Sequence, residues 1–218
     1  MPRPTPALAA PHPTKQARSR ATLDRLLRAA EEVLARDGLD GATVPAIARR
    51  AGVSVGIVYR RFPDKDALLR AVYERFFARS RESNRATLDP ACWVGVPLPD
   101  VVRAVIAGMV RGYEQHRSLL RALFRYAETH PDPEFRRRAG ELSSEAFALV
   151  GDLVLASRAR LRHPDPAAAV RFGLLAVALT LQGLLLPERR AHHPYAASAD
   201  ALADELTRLV LGYLGAGR

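Results

Sequence analysis

The chain has 218 residues, 48% of them hydrophobic, and a net charge of +10. This length and composition suit one domain, or a small domain joined to a larger one, with a sizeable buried core. The single cysteine, Cys92, excludes an intrachain disulfide framework and fits a reducing cytoplasm.

The positive charge is concentrated in the first part of the chain. Residues 1–85 carry 17 Lys and Arg against 9 Asp and Glu, whereas residues 86–218 carry 16 against 14. A basic first domain followed by a nearly neutral body is typical of a polyanion-binding head attached to a body of another kind. Charge alone also permits a merely solvated basic surface, because the N-terminal arm adds to the count.

Two segments bear on targeting and membranes. Residues 1–18 belong to a stretch with five prolines and no long apolar run, which predicts a disordered basic arm and not a signal peptide. The longest apolar run, 172–187, contains Gln182 and two glycines. It is predicted to be a buried helix, since a membrane span needs about 20 apolar residues. We therefore expect no membrane partner.

Apolar periodicity is helical nearly everywhere, so the predicted fold is all-α with about nine helices. A first helix ends at Gly38, and a second is capped by Thr43 and ends at Gly52. Ser54 caps a third, which runs to about residue 62, and a fourth begins near Lys65. After a loop at 87–99, helical segments are predicted at about 99–115, 117–129, 132–161, 166–186 and 199–214.

The second and third helices, joined by a tight turn containing glycine, predict a helix-turn-helix. Its predicted small core comprises Ile47, Ala48, Val53, Val58 and Phe62. This leaves polar and basic side chains on the face that would enter a DNA major groove. Tyr59 and Lys65 are suited to phosphate, and Arg60 and Arg61 to phosphate or a guanine edge. The alternative is that Tyr59 simply packs on the fourth helix.

Residues 37–76, DGLDGATVPAIARRAGVSVGIVYRRFPDKDALLRAVYERF, resemble the DNA-binding domain of the TetR/AcrR family of bacterial transcription repressors. The resemblance implies a sequence-specific regulator, released from its operator by a small molecule bound in the C-terminal domain. It also implies phosphate contacts at Thr43, Tyr59 and Lys65. The full set of candidate DNA contacts is Thr43, Ser54, Val55, Gly56, Ile57, Tyr59, Arg60, Arg61 and Lys65. Two residues depart from the family pattern: Pro45, where a polar residue is common, and Arg61, where histidine is common.

The resemblance divides the chain into an arm (1–18), a three-helix DNA-binding head (19–65) and a helical effector-binding and dimerisation domain (66–218). It implies a homodimer on a palindromic operator, because two heads must reach successive major grooves about 34–36 Å apart. The candidate dimer contacts lie on the last two helices and are Phe172, Leu175, Leu179, Gly183, Leu202, Leu206, Leu209 and Tyr213. Either stripe could instead be intrachain core.

The resemblance also implies an effector pocket in the second domain, for an unidentified ligand. Its candidate lining residues are Trp93, Met109, Tyr113, Leu120, Arg121, Phe124, Phe147 and Gln182, for each of which core packing is an alternative. No catalytic cluster, cofactor motif or metal-ligand set is expected. Two other functions remain open: a non-specific architectural DNA-binding protein, and an all-α enzyme. The expected location is the bacterial cytoplasm.

Overall fold

The computed structural model describes residues 15–156, 161–187 and 198–216, without the side chains of residues 15, 146 and 147. This part of the chain forms nine α-helices and one 3₁₀-helix, Pro90–Trp93. The α-helices are α1 (Lys15–Gly41), α2 (Val44–Ala51), α3 (Val55–Tyr59), α4 (Lys65–Thr87), α5 (Leu98–Gln115), α6 (Arg117–Thr129), α7 (Pro133–Ala156), α8 (Pro166–Leu185) and α9 (Ala199–Leu214). The all-α prediction is confirmed.

Helix α1 starts earlier than the sequence predicts. Its first residue is Lys15, so the last four residues of the predicted arm are helical, and the rest of the arm lies outside the described residues. The segment 15–20 contains no proline or glycine, and its Lys, Gln, Ala and Arg residues favour helix. Near its other end, α1 is kinked at Gly38, whose φ of 69° only glycine adopts readily.

The helix-turn-helix forms as predicted, apart from the length of α3. Thr43 caps α2, and Gly52 ends it in the left-handed conformation with φ 64°. Helix α3 ends at Tyr59, short of the predicted end at Phe62. Phe62 is buried and faces the core of the head, and Pro63 follows it, so the chain turns there. Ile47, Ala48 and Val58 are also buried, and Val53 packs partly buried against them.

Helix α4 belongs to both halves of the molecule. Asp64 caps its start by accepting a hydrogen bond from the Ala67 amide at 2.7 Å. Its buried face packs against α1 on the head side and against α7 on the body side. Arg75 and Arg79 form ion pairs with Glu31 of α1, which is almost fully buried. A boundary after residue 65 therefore divides the sequence but not the packing.

The body is built from α5 to α9. Helix α9 packs against α5 and α8, and α8 also contacts α7. Within the described residues, α8 is the one helix whose length and composition would suit a membrane span, and 44% of its most apolar window is buried inside the chain. The prediction of a buried helix therefore holds for one face of α8, while its other face is exposed.

Candidate nucleic-acid interface

Helix α3 presents its outer face to solvent. Val55 is 38% exposed and Tyr59 52% exposed, while Val58, on the opposite side, is buried in the core. Ser54 takes the N-cap position without a hydrogen bond from its side chain to the helix, so its hydroxyl is not occupied by capping. At Gly56, an added Cβ would meet only the Ser54 hydroxyl, at 3.9 Å. The start of α3 is therefore narrow enough for its backbone to approach DNA closely.

The remaining predicted contacts surround this face. Thr43 and Arg60 are exposed, and Ile57 and Arg61 are half-buried. The Thr43 hydroxyl accepts a hydrogen bond from the Ala46 amide at 3.3 Å, which leaves its own proton available for a phosphate oxygen. Helices α2 and α3, and the turn after α3, hold these side chains on one basic surface. Two arginines at the end of α2, Arg49 and Arg50, add to its charge, and Arg50 also pairs with Glu32.

Two of the predicted contacts have partners inside the chain. The Arg61 guanidinium donates to the Ser19 hydroxyl and the Ser19 carbonyl, both at 2.9 Å. The Lys65 ammonium donates to the Leu39 carbonyl at 3.2 Å. Sequence reasoning missed both partners, because they lie 42 and 26 residues away in the chain. Both cations therefore brace α1 as well as contributing charge to the DNA-facing surface.

The predicted phosphate site at the start of α4 is already partly used. Asp64 accepts one of the free amides of the first turn, and Asp66 places a second carboxylate there. Negative side chains at this position satisfy the helix dipole that would otherwise attract an anion. Any phosphate contact in this region therefore depends on the side chain of Lys65 and not on the end of the helix.

A polar cluster joins the start of α4 to the body, which sequence spacing does not reveal. The Asp66 carboxylate accepts from the Tyr126 hydroxyl at 2.6 Å and from Arg70 at 2.7 Å, and lies 2.8 Å from His130 Nε2. Arg70 also donates to Asp132 at 3.0 Å. Partial burial alone would raise the pKa of Asp66, but the hydrogen bonds from these three partners outweigh it and lower that pKa to about 2.

The predicted effector pocket is not assembled as one site. Tyr113 and Gln182 do meet, with 3.5 Å between the hydroxyl and the amide nitrogen, but Trp93 donates to the Thr87 carbonyl, and Phe124 packs on Phe77. Met109 and Arg121 are half-buried, Leu120 is buried in the core, and the side chain of Phe147 lies outside the described residues. A small cavity opens elsewhere in the body. It is lined by Val102, Val105, Ile106, Val154, Val170, Leu174, Val210 and Leu214.

The predicted dimer surface is correct for α8 and half wrong for α9. Five large apolar side chains of the two helices are between 41% and 58% exposed: Phe172, Leu175, Leu179, Leu209 and Tyr213. Gly183 is exposed on the same helix as the first three. Leu202 and Leu206, however, are 6% and 5% exposed, because this side of α9 packs against α5 within the chain. They are core residues and cannot contact a partner.

Comparison with known proteins identifies the family. The profile described as "Bacterial regulatory proteins, tetR family" matches residues 26–72. The HTH-type transcriptional regulator BetI of Stenotrophomonas maltophilia is 30% identical over 166 residues, covering 75% of this chain and 81% of the relative. BetI of Cronobacter sakazakii is 26% identical over 179 residues, covering 82% of each chain.

Solved structures share the whole fold. A TetR-family transcriptional regulator from Mesorhizobium loti superposes with a TM-score of 0.71 at 19% identity, covering 91% of this chain and 97% of that one. FadR of Bacillus subtilis, solved with stearoyl-CoA, has a TM-score of 0.64 at 16% identity, covering 89% and 99%. With the helix-turn-helix head and the helical second domain described above, these relatives place the function in sequence-specific DNA binding. The chain belongs to the TetR family of bacterial DNA-binding transcriptional regulators.

Proposed function

We propose that the protein is a homodimeric repressor that binds a palindromic operator through α3 and is released by a small apolar molecule held in the body. The observation that carries the DNA-binding part is the exposed outer face of α3. This helix has an open, glycine-containing start, and Tyr59 and Arg60 are exposed at its end. Hydroxyl and guanidinium groups so placed suit phosphate oxygens and guanine edges.

The exposed face of α8 and α9 supports the homodimer. Its five large apolar side chains lie on adjacent helices, and the Phe172 and Tyr213 rings pack 5.6 Å apart. A continuous apolar surface of this kind is costly in water and typical of a protein–protein interface. A second copy of the same face is the occupant that would also place two heads on two half-sites.

The aliphatic lining of the body cavity supports an apolar effector. All eight lining side chains are valine, isoleucine or leucine, contributed by α5, α7, α8 and α9. No polar group among them would satisfy a charged or hydrogen-bonding ligand. Two of these helices, α8 and α9, also carry the proposed dimer face, so expansion of the cavity by a ligand would move one head relative to the other.

Selection of bound duplexes from a random pool, at about physiological salt, tests this function. We expect an enriched palindrome and, by analytical ultracentrifugation, a complex with two chains per duplex. The specific duplex should bind at least about a thousandfold more tightly than random duplex. Strong binding without enrichment, with a steep loss of affinity in salt, would instead indicate an architectural DNA-binding protein.

A further inference from the structure

His130 is a buried titratable residue at the contact between head and body. It lies between α6 and α7 with only 5% of its surface exposed. Its ring packs on Tyr126 and Phe135, with centroids 5.2 and 4.5 Å away. Its Nε2 lies 2.8 Å from the carboxylate of Asp66, the second residue of α4. The histidine of the body thus contacts the first turn of the helix that leaves the head.

The hydrogen bonds define which nitrogen of His130 carries a proton. The Asp132 amide donates to Nδ1 at 3.1 Å, and an amide donor requires a lone pair on that nitrogen. Nδ1 is therefore unprotonated, and Nε2 carries the proton that is donated to Asp66. Arg70, 3.4 Å from Nε2, already donates to Asp66 and Asp132. Both ring nitrogens are satisfied in this neutral tautomer.

The charges around the ring balance when His130 is neutral. The facing charged groups are Asp66 and Arg70 from α4, Asp132 from the α6–α7 connection, and Arg136 from α7, which donates to the His130 carbonyl. Tyr126 of α6 is the other titratable neighbour, and burial raises its pKa further above the physiological range. Two carboxylates thus face two guanidiniums. A proton added at Nδ1 would bring one uncompensated charge and place two donors, Nδ1–H and the Asp132 amide, against each other.

Since the cluster lies directly after the head, its geometry affects the direction in which α4 leaves the body. Other contacts hold α4 farther along, where the Tyr73 hydroxyl donates to the Ala139 carbonyl and Arg81 pairs with Glu145. A homodimer that must seat two heads at once gains affinity when each head is held in one orientation, because less freedom is lost on binding. A single half-site makes no such demand.

We propose that His130 is a positioning residue whose neutral form holds the start of α4 against the body, and whose protonation loosens the head and weakens operator binding. The proposal rests on the proposed homodimeric function. Acidification from pH 7.5 to 5.5 should lower affinity for the palindrome about three- to tenfold, as expected for the loss of one buried hydrogen bond. Affinity for a duplex carrying one half-site should fall much less.

The test compares wild type with His130→Gln, which retains an N–H donor toward Asp66 but does not titrate. Fluorescence anisotropy with the selected palindrome, and with a single half-site, would be measured at both pH values. We expect His130→Gln to lose the pH dependence that is specific to the palindrome. His116→Gln is the matched control, because His116 also packs on α4, 5.6 Å from the Phe76 ring, but is exposed. It should respond to pH as wild type does. An identical pH response in wild type and His130→Gln would overturn the proposal.

Two further measurements keep the proposal separate from the function on which it rests. Nitrogen-15 NMR of the wild-type imidazoles at pH 7.5 needs no DNA, and should show His130 as the Nε2–H tautomer. The Nδ1–H tautomer there would contradict the proposal even if an operator is found. If His130→Gln is unstable, Tyr126→Phe replaces it, since this variant removes one bond to Asp66 but leaves His130 titratable. It should weaken palindrome binding and keep the pH response. If no palindrome is enriched, the function fails, and amide exchange in the first turn of α4 still reads the effect of pH on the cluster.

Discussion

Arg61 and Ser19 are joined by two hydrogen bonds, both 2.9 Å long, from one guanidinium nitrogen to the hydroxyl and the carbonyl of the serine. The contact links the turn after the recognition helix α3 to the first turns of α1. It also places the basic start of α1, with Arg18 and Arg20, beside the DNA-facing surface. Arg61 is thus held in place before any nucleic acid is bound.

Because of this contact, Arg61→Ala and Arg60→Ala should affect DNA binding differently. Arg60 is exposed and should contact DNA, so its removal should reduce the slope of log affinity against log salt by about 0.9. Arg61→Ala should weaken binding with little change of slope, because its main role is to fix α3 against α1. Titrations at four salt concentrations measure both slopes. A slope reduced equally in the two variants would assign Arg61 to a phosphate.

Tyr59→Phe should weaken binding to all duplexes by a similar factor. The ring is 52% exposed, and its hydroxyl is suited to a phosphate, which carries no sequence information. A loss of about 1 kcal/mol is expected for one hydrogen bond, with the same preferred sequence. The measurement is the affinity for the selected palindrome and for random duplex. Equal affinities of variant and wild type would remove Tyr59 from the interface.

Lys65→Met should lower the free energy of unfolding as well as DNA affinity. The ammonium satisfies the Leu39 carbonyl near the end of α1, and methionine keeps the bulk of the side chain but donates nothing. We expect a loss of about 1 kcal/mol in urea denaturation. Arg60→Met, an exposed cation of the same head, is the control and should leave stability unchanged. If Lys65→Met weakens DNA binding at full stability, Lys65 acts on DNA alone.

Gly183→Ala distinguishes the monomer from the dimer. An added Cβ at Gly183 meets nothing within 4 Å inside the chain, and alanine favours helix by about 1 kcal/mol. Thermal unfolding of the folded chain should therefore be unaffected or shifted upward. If the exposed face of α8 approaches a second copy closely, the methyl group should shift the equilibrium toward monomer. Sedimentation equilibrium over a dilution series measures this, and an unchanged dimer would exclude Gly183 from the interface.

Asp66→Asn should destabilise the protein above pH 4 and have a smaller effect in acid. The pKa of Asp66 is lowered to about 2, below its value in the unfolded chain, so its ionised form stabilises the fold above about pH 4. This stabilisation is lost as pH falls through about 2. Since the carboxylate is 42% exposed, solvent screening should keep the effect below about 2 kcal/mol. Urea denaturation of both proteins between pH 3 and pH 7 measures the difference, which should narrow toward pH 3.

Features that depend on local sequence were predictable. The kink at Gly38, the caps at Thr43 and Asp64 and the turn at Gly52 follow from residues that restrict the backbone within a few positions. The family resemblance added the DNA-facing residues in the same short segment. These features required no knowledge of how distant helices pack.

Features that depend on distant packing were not predictable. Leu202, Leu206 and Leu209 fall on one apolar stripe in the sequence, yet only Leu209 is exposed, because the position of α5 decides which side of α9 is core. The contact between Asp66 and His130 spans 64 residues and has no local signal. The same holds for the partners of Arg61 and Lys65, which tertiary structure alone supplies.

The double attachment of α4 has a consequence for exchanging domains between regulators. A chimera joined after residue 65 would combine this head with a foreign α4, and would lose the pairing of Arg75 and Arg79 with Glu31. A junction placed after α4, near residue 88, would keep those pairs but separate Asp66 from His130. Either hybrid would need compensating substitutions across the junction. New specificity is thus more readily transplanted by replacing the outer face of α3 alone.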